Sequence, residues 1–251
     1  MIAGMKKLIS DHFKALADLM LPRVCIVCDR KLLINERHLC LHCYADMPFT
    51  HFWERSHNPM ADRFNGLIQE ESGLVTPEHY AYCCSLFFYD HDANYRMILY
   101  NLKYRSNLEA GEHFGGMLGK RIAGSEHLRD VDCVIPVPLH WRRRWKRGYN
   151  QAEVIASAMA EAMGVPMRAD VLKRKRYTKT QTRLDVEAKS ANVSGAFEVC
   201  RYDLGDARHL LVVDDLFTTG STLMACFAAL RKAFPYPVRI SVATLGFVGR
   251  I

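Results

Sequence analysis

Three features of the sequence predict an α/β protein built on a parallel sheet flanked by helices, with a small zinc-binding module ahead of it. They are short apolar runs alternating with helix-period segments, two C-x-x-C pairs near the N-terminus, and an acidic strand end running into a Thr/Gly/Ser-rich helix start. With 251 residues, 49% of them apolar, the chain can bury one full α/β core and still carry a minor module. The expected division is an N-terminal helix and four-cysteine module over residues 1–50, a linker and rim over 51–80, and the α/β domain over 81–251.

Ser10 opens a segment that places Phe13, Leu16, Ala17 and Met20 on one helical face, and Pro22 ends it. Such a stripe serves packing on the chain's own core or contact with a membrane surface. Asp11, His12, Lys14 and Asp18 break the apolar region a secretory signal needs, and no window reaches the roughly 18 apolar residues of a membrane helix. The expectation is a soluble, cytoplasmic protein without membrane insertion.

Cys25-Ile26-Val27-Cys28 and Cys40-Leu41-His42-Cys43 each put two sulfurs on a tight turn, and eleven residues separate them. Two such turns supply a closed tetrahedral site at about 2.3 Å per Zn–S bond, with no open position, which is a structural rather than a catalytic zinc. A redox C-x-x-C and plain buried thiols are the competing readings, and the duplication favours zinc. His38 and His42 are spare ligands. Cys83, Cys84, Cys133, Cys200 and Cys226 lie in or near apolar runs and read as buried, inert thiols.

From His51 to Glu78 the chain is polar and punctuated by Asn58-Pro59, Gly66, Gly73 and Pro77, hence the linker expectation. Beyond it, apolar runs at Tyr82–Tyr89, Val131–Val137, Leu210–Val213 and Arg239–Leu245 read as strands. Helices are expected around Ile98–Leu102, Phe114–Ile122, Asn150–Met163 and Gly220–Ala233. The net charge of +7 favours anionic partners in general and concentrates in Arg142-Arg143-Arg144 with Lys146-Arg147 and in Lys173-Arg174-Lys175-Arg176.

Leu210-Leu211-Val212-Val213 ends in Asp214-Asp215, followed by Leu216-Phe217 and Thr218-Thr219-Gly220-Ser221-Thr222 at a helix opening. Carboxylates at a strand's end accept hydrogen bonds from vicinal hydroxyls, while small residues at a helix N-terminus offer N–H groups and a positive dipole end to phosphate. A phosphorylated sugar fits both halves. A plain strand end and helix cap would explain any one of these seven residues more easily than all of them together.

This run resembles the phosphoribosyl-diphosphate signature of the type I phosphoribosyltransferases. Ile135-Pro136-Val137-Pro138-Leu139, the arginine cluster with Arg147-Gly148-Tyr149-Asn150-Gln151, the cysteine pairs and Lys103-Tyr104-Arg105 resemble the ComF (competence protein F) family. Thr180-Gln181, Leu184, Asn192 and Gly195-Ala196-Phe197 extend the similarity from about residue 20 to residue 245. The resemblance implies a type I phosphoribosyltransferase fold in which Asp214 and Asp215 hold the ribose hydroxyls and form the catalytic pair, and Thr218, Thr219, Gly220, Ser221 and Thr222 hold the 5-phosphate. It further implies a loop after Val137-Pro138 near the diphosphate, a mobile covering loop around Arg176–Gln181, Mg²⁺ accompanying phosphoribosyl diphosphate, and an association with DNA uptake.

Arg142, Arg144, Lys175, Arg176 and Lys179 are candidate diphosphate contacts, with a solvated basic face as the alternative, and Lys103 joins them through the resemblance. Two readings of function follow. One is a transferase moving phosphoribosyl to a nitrogen nucleophile. The other is a non-catalytic phosphoribosyl-diphosphate or nucleotide sensor whose basic surface, with Trp141, Trp145, Tyr149 and Tyr177 interleaved, engages single-stranded DNA or DNA-uptake machinery.

Overall fold

The computed structural model describes residues 22–72, 78–175 and 195–249. The helix expected over 10–20, and Arg176, Tyr177, Lys179, Thr180, Gln181, Leu184 and Asn192, lie outside them. Four strands, β1 (Cys83–Phe88), β2 (Cys133–Pro136), β5 (His209–Phe217) and β6 (Arg239–Phe247), form a parallel sheet in the order β1-β6-β5-β2. The two central strands carry the longest apolar runs because both of their faces are covered: β5 is buried from His209 to Val213 and β6 from Ile240 to Phe247. The sheet and its helices match the expected α/β class. A separate antiparallel pair, β3 (Leu172–Arg174) with β4 (Phe197–Val199), was not legible as strands, being three residues each.

The helices are α1 (Leu41–Ala45), α2 (Pro59–Ser72), α3 (Arg96–Tyr104), α4 (Leu108–Ala123), α5 (Trp141–Arg147), α6 (Gln151–Met163) and α7 (Ser221–Ala233). Helices α4 and α6 pack at unusually close range. A Cβ on Gly115 would stand 2.7 Å from the Ile155 carbonyl oxygen, and one on Gly119 2.7 Å from that of Met159. Glycine costs helix propensity at these positions, and the close backbone approach is what it permits.

Helix α2 corrects the expectation of a linker. The Asn58 side-chain oxygen accepts from the Met60 and Ala61 N–H groups (3.1 and 2.9 Å), and Pro59 occupies the first turn, where its missing N–H costs nothing. Asn58-Pro59 is therefore a helix start and not a turn. Met60, Ala61, Phe64 and Ile68 enter the core, as do Phe52 and Trp53 before them. Intervening polar residues on the outer face conceal this stripe in a composition reading.

The four-cysteine module is fastened to the sheet rather than hung from it. Phe49 bridges to Phe87, the Thr50 N–H donates to Leu86 O (3.2 Å), and the Tyr95 hydroxyl donates to Cys43 O (2.9 Å). Cys25, Cys40 and Cys43 belong to the same continuous apolar core as the strands. Cys83, Cys84, Cys133 and Cys226 are buried as expected, whereas Cys200 is exposed, since it follows β4 at the start of a surface stretch.

Candidate functional site

The sulfur atoms of Cys25, Cys28, Cys40 and Cys43 all lie within 4.8 Å of one another. Each knuckle is shaped by its own backbone: the Asp29 N–H closes on Cys25 O (2.9 Å), the Tyr44 N–H on Cys40 O (2.9 Å), and the Cys43 N–H donates to Cys40 Sγ (3.5 Å). Burial opposes a thiolate at Cys25, but N–H groups of Cys40, Cys28 and Val27 outweigh it and bring the thiol below its ordinary value. Four convergent sulfurs with N–H donors aimed at them are the donor set of a closed zinc site. His38 takes another place, its ring 5.2 Å from that of His113 on α4, and neither it nor His42 joins the sulfur group.

Asp214 and Asp215 lie in the C-terminal half of the central strand β5, where ligands of open α/β sheets sit. Their environments differ. The Asp215 carboxylate meets Lys103 Nζ at 3.0 Å, with only 14% of the Asp215 side chain and 24% of the Lys103 side chain exposed. Burial works against the Lys103 ammonium, yet Asp215 and Asp214 hold its pKa above the ordinary lysine value. Asp214 accepts the Asp215 N–H at 2.8 Å, and burial together with the Asp215 charge pushes its carboxyl up to about 7.

Past Phe217 the chain turns through Thr218 and Thr219 into α7. Gly220 sits at the N-cap with φ +84, and a Cβ there would stand 2.8 Å from the Phe217 ring and 2.9 Å from Leu67. Backbone conformation and packing therefore demand this glycine. The Thr219 and Ser221 hydroxyls are 2.8 Å apart, and Arg63 Nη1 donates to Thr218 O (3.0 Å), tying the loop to α2. A cleft with an apolar side of Leu67, Phe197, Met224 and Ala225 and a charged rim of Glu70, Glu71 and Lys232 opens beside Ser221.

The basic candidates separate in space. Arg144 pairs with Glu153 (2.8 Å), Lys175 with Glu198, and Arg142 lies 5.2 Å over the Trp141 ring. Helix α5, which carries the arginine cluster, buries no residue, and Trp141 and Trp145 are 64% and 88% exposed. Tyr104 of α3 joins this face beneath Arg147, 5.8 Å from the ring centroid, and the Tyr100 ring lies tilted 5.0 Å from that of Tyr104, with Arg105 5.9 Å over Tyr100.

No protein-family model matches the chain. Among curated proteins it is 34% identical over 109 residues to competence protein F of Haemophilus influenzae, covering 43% of this chain and 48%, about half, of that one. It is 30% identical over 207 residues, 80% of each chain, to DNA utilization protein YhgH of Escherichia coli O157:H7. The chain belongs to the ComF family. Solved structures overlap it only in part. An allosteric regulatory enzyme of purine biosynthesis is 22% identical over 53% of this chain and 26% of that one at a TM-score of 0.35. Adenine phosphoribosyltransferase from Leishmania tarentolae is 13% identical over 57% and 73% at 0.31. The α/β assignment of this ComF protein stands on its own sheet order.

One cation of the site escaped selection from the sequence. Arg174 lies close enough to Asp214 for their charges to act on each other, and burial with the neighbouring Arg143 holds its pKa below the ordinary guanidinium value. The signal was period two: on a strand over 172–174, Leu172 and Arg174 share a face and Lys173 points the other way. A second constellation in this ComF chain imitates chemistry without offering it. His209 links Asp130 (2.9 Å) and Ser241 (2.8 Å) like a hydrolase triad, but His209 and Ser241 are fully enclosed and leave a substrate no approach. Among the described residues no helix is long and apolar enough to cross a membrane.

Proposed function

We propose that this protein binds phosphoribosyl diphosphate, with Asp214 and Asp215 accepting hydrogen bonds from the ribose diol and residues Thr218 to Thr222 receiving the 5-phosphate at the head of α7. The observation that carries this reading is the acidic pair, its Asp215 held by Lys103, in the C-terminal half of a central strand that leads through a short loop into a helix N-terminus. Charged partners strengthen each diol hydrogen bond, and the loop supplies N–H donors without a counter-charge of its own. Mg²⁺ would arrive with the diphosphate, whose oxygens are hard ligands and whose departure it would favour. Among the described residues, the four cysteines are the only cluster of three or more His, Cys, Asp or Glu side chains placed to share a metal.

Transfer to a nitrogen nucleophile is the activity this site suits. Breaking the bond from C1 to the diphosphate builds positive charge on the ring and negative charge on the leaving group, so carboxylates beneath the sugar and cations beyond it both stabilise the transition state. Arg174, whose charge acts on Asp214, joins the individual cations singled out from sequence. Calorimetric titration with phosphoribosyl diphosphate tests binding. Diphosphate release across a panel of bases, amines and ammonia tests transfer, and binding without release from any of them would establish a sensor instead.

A second surface supports single-stranded DNA as a partner, in keeping with the names of the relatives. Tyr100, Tyr104, Trp141 and Trp145 are exposed beside Arg105, Arg142 and Arg147, which gives bases a stacking platform and phosphates a cationic edge. Binding there should weaken steeply with salt, because each neutralised phosphate releases counterions. Oligonucleotide titration in which Trp145→Ala or Tyr104→Ala leaves the affinity unchanged would rule this face out.

A further inference from the structure

We propose that Lys103 is a positioning residue for the sugar diol, acting through Asp215, and not a ligand of the diphosphate. The inference rests on the assignment of Asp214 and Asp215 to the ribose, and it gives Lys103 a different task from the leaving-group contact that resemblance implied.

Three observations carry it. The ammonium is already committed: Nζ stands 3.0 Å from Asp215 Oδ1, and both side chains are mostly enclosed. Withdrawing it toward a diphosphate would strand a buried carboxylate beside a second one, and removing one partner of such a pair is strongly unfavourable. The lysine is also held by a rigid element. It lies in the last turn of α3, where the helix dipole favours a cation, while Ile98, Leu99 and Leu102 anchor that helix in the core and Leu102 O accepts the Tyr149 hydroxyl.

The two acids, finally, are engaged differently. Lys103 makes its direct contact with Asp215, whereas Asp214 takes the Asp215 N–H and feels the charges of Lys103 and Arg174 without such a contact. A carboxylate has lone pairs for both an ammonium and a hydroxyl, so Lys103 can hold Asp215 in place through one oxygen while another lone pair accepts from the diol. Lysine thereby makes Asp215 a dependable acceptor for the 2-hydroxyl of ribose.

The test separates the diol side of the ligand from the leaving-group side. Ribose 5-phosphate, 2-deoxyribose 5-phosphate and phosphoribosyl diphosphate with Mg²⁺ are titrated calorimetrically into the wild type, Lys103→Met and Lys103→Arg, each zinc-loaded and checked for folding. The wild type should prefer ribose 5-phosphate over its 2-deoxy analogue by about tenfold or more, the loss expected when a charged acceptor goes unmet.

Lys103→Met should erase most of that preference and leave the ratio of phosphoribosyl diphosphate to ribose 5-phosphate affinity within about twofold of the wild type, while Lys103→Arg restores the preference in part. A Lys103→Met protein that keeps the ribose preference, or that loses the diphosphate ratio, overturns the inference. If Lys103→Met does not fold, Lys103→Gln takes its place with the same two ratios decisive. A wild type that binds ribose 5-phosphate but ignores the 2-hydroxyl defeats only the role of Lys103. A wild type that binds none of the three defeats the sugar-phosphate site and this inference with it.

Discussion

At residue scale the two adjacent aspartates are unequal, and their difference is measurable. Asp215→Asn and Asp214→Asn keep the side-chain shape but remove charged hydrogen bonds worth roughly 1.5–3 kcal/mol, so ribose 5-phosphate affinity should drop about tenfold or more for at least one of them. Equal affinity across wild type and both variants would place the sugar elsewhere. Because Asp214 is pushed up to about 7, mainly by burial and next by Asp215, it carries its proton below that pH and sheds it above. Diol binding should therefore strengthen as pH rises from 6 to 8, and Asp214→Asn should remove that part of the profile while leaving the part due to the ligand's own phosphate. A pH profile identical in the variant would assign the dependence to the phosphate alone. Gly220→Val should cost stability as well as affinity, since a left-handed φ and two contacts under 3 Å forbid the side chain before any ligand arrives. The sequence suggested that glycine for close approach of a phosphate; the ring of Phe217 and the side chain of Leu67 make it a packing requirement first.

At the scale of elements, legibility followed the length and purity of the apolar signal. Strands β1, β2, β5 and β6 and helices α3, α4, α6 and α7 were visible because their runs are long or strictly periodic. Helix α2 was hidden by its polar outer face and by Asn58-Pro59, whose dipeptide means a turn in isolation and a capped helix start when Asn58 is buried against Cys83 O (2.9 Å). Strands β3 and β4 were hidden by brevity. The pairing of α4 with α6 has its own consequence: Gly115→Leu would drive carbon into the Ile155 carbonyl and should destabilise the protein by about 1–3 kcal/mol or more, read as a lowered denaturation midpoint. An unchanged midpoint would mean that the two helices are free to separate. Gly116→Ala is the control, because only the Ala158 carbonyl lies within reach of its Cβ, at 4.0 Å.

For the whole molecule, the four-cysteine knuckles and the sheet share one core, so a zinc held there and the fold should be lost together. One zinc per chain is expected by metal analysis, and chelation or Cys25→Ser with Cys40→Ser should lower the melting temperature of the entire protein in a single transition. Stoichiometric zinc surviving in the double variant would sink the assignment. The sequence by itself determined the α/β class, the four clustered cysteines and the Asp-Asp to Thr-Thr-Gly-Ser-Thr run, because each depends on neighbours within a few residues: alternation of apolar segments, paired sulfurs on turns, and a strand end abutting a helix start. Only the tertiary structure decided which cations face that run. Lys103 and Asp215 are far apart along the chain and meet only in the fold, Arg174 acts on Asp214 from a strand whose three residues are too few for their alternation to stand out, and Arg144 and Lys175 are paired with glutamates of other elements. Charge is visible in a sequence, but which charge it meets is settled by packing, since a side chain a few ångströms away in space carries no mark of that proximity along the chain.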